Sequence, residues 1–141
     1  MSAHWTTRYV GTPYRELGRD RAGCDCWGLA VLVYRDELGI QLISYDGDYA
    51  SVAERAEISA LIEAGQRTPD WIKVSQPKPF DIVLFRQGRL TSHVGIVCAS
   101  GRMLHQYGSD CAKIESYKAP RWQSRHVGTF RHAMIGEGND A

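Results

Sequence analysis

A chain of 141 residues has room for one domain with a proper core and needs no disulfide or metal staple to hold it. Seventeen basic and sixteen acidic side chains leave a net charge of +1, a balance that calls for neither nucleic acid nor an anionic membrane surface. No apolar run is long enough to insert in a membrane, and residues 1–8 lack the apolar centre of an export signal, so the expectation is a chain made in a reducing cytoplasm with its four cysteines as thiols.

In chain order, residues 9–14 read as an extended or turn-rich opening, and residues 23–30 then turn a polar stretch into an apolar one. Trp27, Leu29, Ala30, Val31, Leu32, Val33 and Tyr34 leave no polar face until Arg35, Asp36 and Glu37, and Gly39 supplies a stop. That pattern predicts a buried helix over 26–38, with Asp25 as its N-cap. Residues 39–48 are irregular, and an amphipathic helix is expected over 51–64, before Gly65. Pro69, Pro77 and Pro79 make 68–79 a connection holding at most a short strand at 71–74. Residues 81–85, 93–98, 102–107 and 113–117 then read as short strands in an antiparallel meander, with a last strand over 126–131. The class is α+β, a buried helix packed on an antiparallel sheet, in a single domain over 1–141.

The chemistry centres on Cys26, expected at the positive end of that helix. A free thiol has a pKa of about 8.5, and lowering it by about two units takes roughly 2.7 kcal/mol. A helix terminus supplies about 0.3–1 kcal/mol, so a nucleophilic Cys26 needs a cationic partner beside it, a histidine before any other. His93 opens one predicted strand and His105 lies in the next, joined through Ala99-Ser100-Gly101. With a three-residue loop Cys98 pairs with Arg102, which sets His105 opposite Gly95 and diagonal to His93 on one sheet face. A two-residue loop would split the imidazoles between faces. Gly95, lacking a side chain, leaves room for the helix terminus to approach. His93 would then take the thiol proton, and His105 would orient His93.

These residues resemble the NlpC family of papain-like cell-wall cysteine peptidases, also called p60. The matching segments are Gly11-Thr12-Pro13-Tyr14 with Gly18, Gly23-Cys24-Asp25-Cys26-Trp27-Gly28-Leu29, Pro79-Phe80-Asp81-Ile82-Val83-Leu84-Phe85, Ser92-His93-Val94-Gly95-Ile96-Val97 and Met103-Leu104-His105. The resemblance implies a papain-like fold and hydrolysis of the bond between D-glutamate and a diamino acid in peptidoglycan stem peptides, with no cofactor. By position it makes Cys26 the nucleophile, His93 the base and later acid, and His105 the orienting third residue. It also implies that Tyr14 helps polarise the reacting carbonyl and that the Cys26 amide contributes to an oxyanion hole. Asp25 and Trp27 flank the nucleophile at the expected substrate groove.

The Gly-Cys-Asp-Cys-Trp-Gly-Leu wording and the single-domain length resemble the phage-tail branch of that family. This implies tail-tip proteins of a phage or gene transfer agent as partners, and delivery to a host envelope within a particle. Three positions depart from the family pattern: Trp27 stands where many relatives carry Ser, Arg19 replaces the second Gly of a Gly-Gly pair, and Phe80 replaces the Gly of a Pro-Gly-Asp run. The other reading is a structural tail-tip component that keeps the fold and acts by docking. An amidase or acyltransferase with the same acyl-enzyme chemistry is a third. Cys24, ahead of the helix, is expected to be structural, and Cys98 and Cys111 to pack quietly. The Cys-x-Cys pair matches no common zinc spacing. His126 and His132, amid Arg121, Arg125 and Arg131, read as a solvated basic edge, and Asp81 as a strand-start residue.

Overall fold

The structure is a computed structural model and describes residues 4–42, 71–87, 90–107 and 110–136. The helix expected over 51–64 lies outside the described residues. After a single 3-10 turn, Trp5–Arg8, a two-residue hairpin forms from β1 (Arg19–Asp20) and β2 (Gly23–Cys24). The long helix α1 (Cys26–Val33) follows directly. Asp25 caps it as expected, accepting the Gly28 N–H at 2.7 Å through Oδ1. Trp27 to Val33 are all buried, as an apolar-all-round helix requires. The helix is shorter than 26–38, because Tyr34–Leu38 widens into a π-helical turn before Gly39 ends it at φ +65°.

The sheet contains β3 (Trp71–Val74), β4 (Ile82–Gln87), β5 (Leu90–Ala99), β6 (Arg102–His105), β7 (Lys113–Ser116) and β8 (His126–His132). Their order is β3-β8-β4-β5-β6-β7, antiparallel throughout. The meander is therefore real from β4 to β7, and β8 then returns to lie between β4 and β3. A one-turn helix, Pro120–Gln123, makes that return.

The β5–β6 hairpin reaches the expected register by another route. Ala99, not Cys98, opposes Arg102, so the loop is only Ser100 and Gly101, the latter at φ +74°. A bulge at Cys98 adds back the missing residue, and Gly95 faces His105 as parity requires.

Strand alternation then divides the core in two. Ile82, Leu84, Val94, Ile96 and Leu104 face α1 and pack with Leu29 to Val33. Val83, Phe85, Val97 and Met103 face the other way and pack with Tyr117 and Trp122. The Gly95 gap is closed from this second side: a Cβ there would lie 2.5 Å from Met103 Sδ and 3.2 Å from Val83 Cγ2. Met103 and Val83 fill the space expected to admit the helix terminus, because Gly95 points away from the α1 face.

Two positions acquire more definite roles than the sequence suggests. Asp81 begins β4, and it is also fully buried in a two-bonded pair with Arg131 at 2.9 and 3.0 Å. Arg131 and His132 are thus core residues and not part of a solvated edge, since β8 is an interior strand. Phe80 sits at φ +75°, a conformation that favours glycine and accounts for the glycine expected there. Its ring stacks on Trp5 at 4.6 Å, its N–H donates to the Val97 carbonyl at 2.8 Å and its own carbonyl accepts from the Tyr34 hydroxyl. These contacts hold a backbone that costs a non-glycine residue about 1–2 kcal/mol.

Candidate active site

Cys26 is the first residue of α1 and is half-buried. The segment before it is held by Asp25, whose carboxylate caps the helix, accepts the Leu17 N–H at 3.0 Å and pairs with Arg19 at 2.9 Å. One side chain therefore locks the β1 strand to the helix start. The approach is close enough to require glycine at 28, where a Cβ would meet the Gly18 carbonyl oxygen at 1.9 Å. Arg19, the departure from the family pattern, places its guanidinium at this junction and also bonds the Gly18 carbonyl at 2.8 Å.

The two neighbouring cysteines have opposite environments. Cys24 is fully buried, and burial with the nearby Asp25 charge pushes its thiol up to about 12. It is an inert core residue. Of the flanking residues singled out in the sequence, Trp27 is 2% exposed and packs in the α1 core, so its side chain does not line an open groove. Tyr14 is 41% exposed and bridges the Cys24 backbone, two residues before Cys26 and outside the core.

The histidines form the most ordered polar feature of the second face. His93 Nε2 and His105 Nδ1 are 2.8 Å apart, and His105 Nε2 is 2.9 Å from Glu115 Oε1. Glu115 is in turn gripped by Arg121, Nε to Oε2 at 3.0 Å and Nη2 to Oε1 at 2.9 Å. The line runs diagonally over β5, β6 and β7. Gly95 opposes His105 while His93 is two residues away, and Lys113 opposes His105 while Glu115 is two residues away. α1 packs directly on β5, so the helix that begins at Cys26 and the strand that carries His93 are in contact.

Aromatic rings enclose both imidazoles. Trp122 stacks on His93 at 5.1 Å and meets His105 edge-on at 5.2 Å, with Phe85 and Tyr107 closing the sides. Burial, helped by His105 and the Arg125 and Arg121 guanidiniums, lowers His93 to about 3. A resting His93 is therefore neutral and not the cation that the thiol energetics suggest. His105 is lowered by burial too, with the Glu115 hydrogen bond opposing the shift. Burial raises Glu115, but the Trp122 indole, then His105 and the Arg121 charge, outweigh it and hold the carboxyl below its usual value. Among the described residues that indole N–H has no partner at full hydrogen-bond geometry.

Glu115 and Arg121 were not marked by any sequence motif. Parity along β7 could have found Glu115 only with the His105–Lys113 register known, and the connection before β7 does not reveal it. Arg121 belongs to the basic edge, yet it works as the clamp; Arg125 and His126 are exposed as expected. Cys98 is buried at its bulge, whereas Cys111 is an exposed thiol and does not pack.

Comparison with known proteins agrees with this architecture. The chain is 28% identical over 118 residues to the murein DD-endopeptidase/LD-carboxypeptidase MepS of Escherichia coli K12, covering 84% of this chain and 54% of MepS. It is also 28% identical over 127 residues to the gamma-DL-glutamyl hydrolase of Bacillus subtilis, covering 88% of this chain and 27% of that protein. The chain thus spans about half the length of the first relative and less of the second. Among solved structures, the NlpC/p60 domain of the peptidoglycan hydrolase SagA superposes with a TM-score of 0.60 at 24% identity, covering 89% of this chain and 92% of that domain. The family model described as NlpC/P60 matches residues 11–131, and the chain belongs to the NlpC/P60 family.

Proposed function

We propose that this domain is a peptidoglycan endopeptidase in which Cys26 attacks the peptide carbonyl and His93 moves the proton. The observation that carries the reading is the unbroken line from His93 through His105 to Glu115 on the second face of the sheet, its first member on β5, the strand whose other face packs on the helix that opens with Cys26. His93 accepts the thiol proton as the sulfur–carbon bond forms, and then passes it to the leaving amine as the carbon–nitrogen bond breaks. Water hydrolyses the resulting thioester, with His93 taking and returning a proton again. The start of α1 offers the Cys26 amide for the oxyanion that develops in each half. His105 keeps the His93 ring in place, and Tyr14, exposed beside Cys24, is offered as a second polariser of the carbonyl.

The finer proposal is cleavage between D-glutamate and the diamino acid of stem peptides. It is supported by the family wording of the sequence and by the γ-glutamyl bond in the name of the Bacillus subtilis relative. The name of MepS favours a second reading, a D,D cross-link. Digestion of purified muropeptides with wild type and Cys26→Ala, followed by mass analysis, tests both. Fragments ending in D-glutamate support the first, and opened cross-links the second. Equal turnover by wild type and Cys26→Ala would sink the nucleophile assignment.

We further propose that the domain works in a phage or gene-transfer-agent tail, supported by the Gly23-to-Leu29 wording. Mass spectrometry of purified particles tests this, and absence of the chain from them would refute it. A docking component without turnover is the alternative; it predicts the chain in particles but no muropeptide fragments.

A further inference from the structure

Glu115 ends the hydrogen-bond line, and its chemistry dictates the protons along it. A carboxylate only accepts, so the hydrogen between it and His105 belongs to His105 Nε2. His105 Nδ1 is then an acceptor, and the hydrogen across the 2.8 Å contact belongs to His93 Nε2. In neutral His93 this leaves Nδ1 bare. Reversing the pattern would put two acceptors, or two hydrogens, face to face inside a ring of aromatics with His105 fully buried.

We propose that Glu115, clamped by Arg121, is the positioning residue that sets both histidine tautomers and so keeps His93 Nδ1 as the nitrogen able to take the thiol proton. This rests on the Cys26–His93 reading given above. The clamp and the cage share one element. Arg121 and Trp122 are consecutive on the turn begun by Pro120; Arg121 holds Glu115 by two bonds, and its guanidinium also covers the Trp122 ring at 5.0 Å while that ring stacks on His93. Glu115 is thus fixed relative to the imidazole two links away.

The test is a long-range proton–nitrogen correlation spectrum of the full 15N-labelled chain at neutral pH, for wild type, Glu115→Ala and Glu115→Gln. Wild type is expected to carry hydrogen on Nε2 of both His93 and His105. Glu115→Ala should give mixed tautomers, with kcat on muropeptides lower by about 10–100-fold, the usual cost of losing the partner behind a functional imidazole. KM should change by less than about twofold, since no substrate contact is removed. Glu115→Gln keeps an acceptor oxygen and should restore the wild-type tautomers and most of kcat. A wild-type spectrum with hydrogen on His105 Nδ1 overturns the proposal, as do unchanged tautomers and kcat in Glu115→Ala. The wild-type spectrum decides the tautomers even if the alanine variant fails to fold. The spectra also read out when no muropeptide is cleaved, so failure of the peptidase reading and failure of this one are separable.

Discussion

The two faces of the β4–β5–β6 sheet are built from alternate residues of the same strands, yet they do different work. On one face Leu84, Val94, Ile96 and Leu104 meet the apolar α1 helix, and the contact is dispersion and burial alone. On the other, Phe85, His93, Met103 and His105 meet Trp122, and a line of charge-ordered hydrogen bonds crosses the aromatic packing. The first face holds the helix that presents Cys26, and the second determines where protons sit. One strand can serve both because its period of two sends neighbouring residues to opposite environments.

The sharpest way to break this contrast is to exchange a residue on each face. His93→Gln should lower muropeptide turnover by about 10³-fold or more while the chain stays folded by circular dichroism, in line with the loss of a proton-transfer base. Leu104→Ala, fully buried on the α1 side, should instead cost about 2–5 kcal/mol in urea denaturation and leave kcat of the folded fraction within about twofold.

Acid sharpens the difference further. Folding lowers His93 from its ordinary 6.5 to about 3, so below pH 6.5 the unfolded chain binds a proton that the folded chain refuses. Stability is full above that value and falls as pH drops toward 3, by up to about 1.4 kcal/mol per pH unit for this one group. His105, also lowered, adds in the same direction. Denaturant midpoints measured between pH 7 and 4 should therefore decline before ordinary carboxylates titrate, and His93→Gln should flatten the slope. An equal slope in that variant would assign the decline to other groups.

The smallest expected effect concerns the strained turn into β4. Phe80→Gly relieves the positive φ but loses the stack on Trp5, whereas Phe80→Ala loses the stack and keeps the strain. Thermal unfolding should find the alanine variant less stable than the glycine variant by about 1 kcal/mol.

Legibility followed the range of the interactions involved. The Asp25 cap, the burial of α1 and the Gly39 stop are decided within a few residues, and each was readable. The strands were readable too, because turn residues and β-branched runs bound them. The His105–Gly95 register came out as expected although the loop differs, since a bulge at Cys98 compensates for a two-residue turn. The position of β8 between β3 and β4 was hidden, which is why Arg131 and His132 read as surface and proved to be core.

By itself the sequence determined a capped apolar helix opening with Cys26, two histidines of matching parity on adjacent strands, and the family to which the chain belongs. Those follow from local capping, strand period and residue identity. Only the tertiary structure decided that Met103 closes the Gly95 gap, that Cys24 is disarmed by burial, and that Glu115 and Arg121 anchor the imidazoles. Each of these depends on which distant elements pack together, and that is chosen by the burial of whole faces and not by any short stretch of chain.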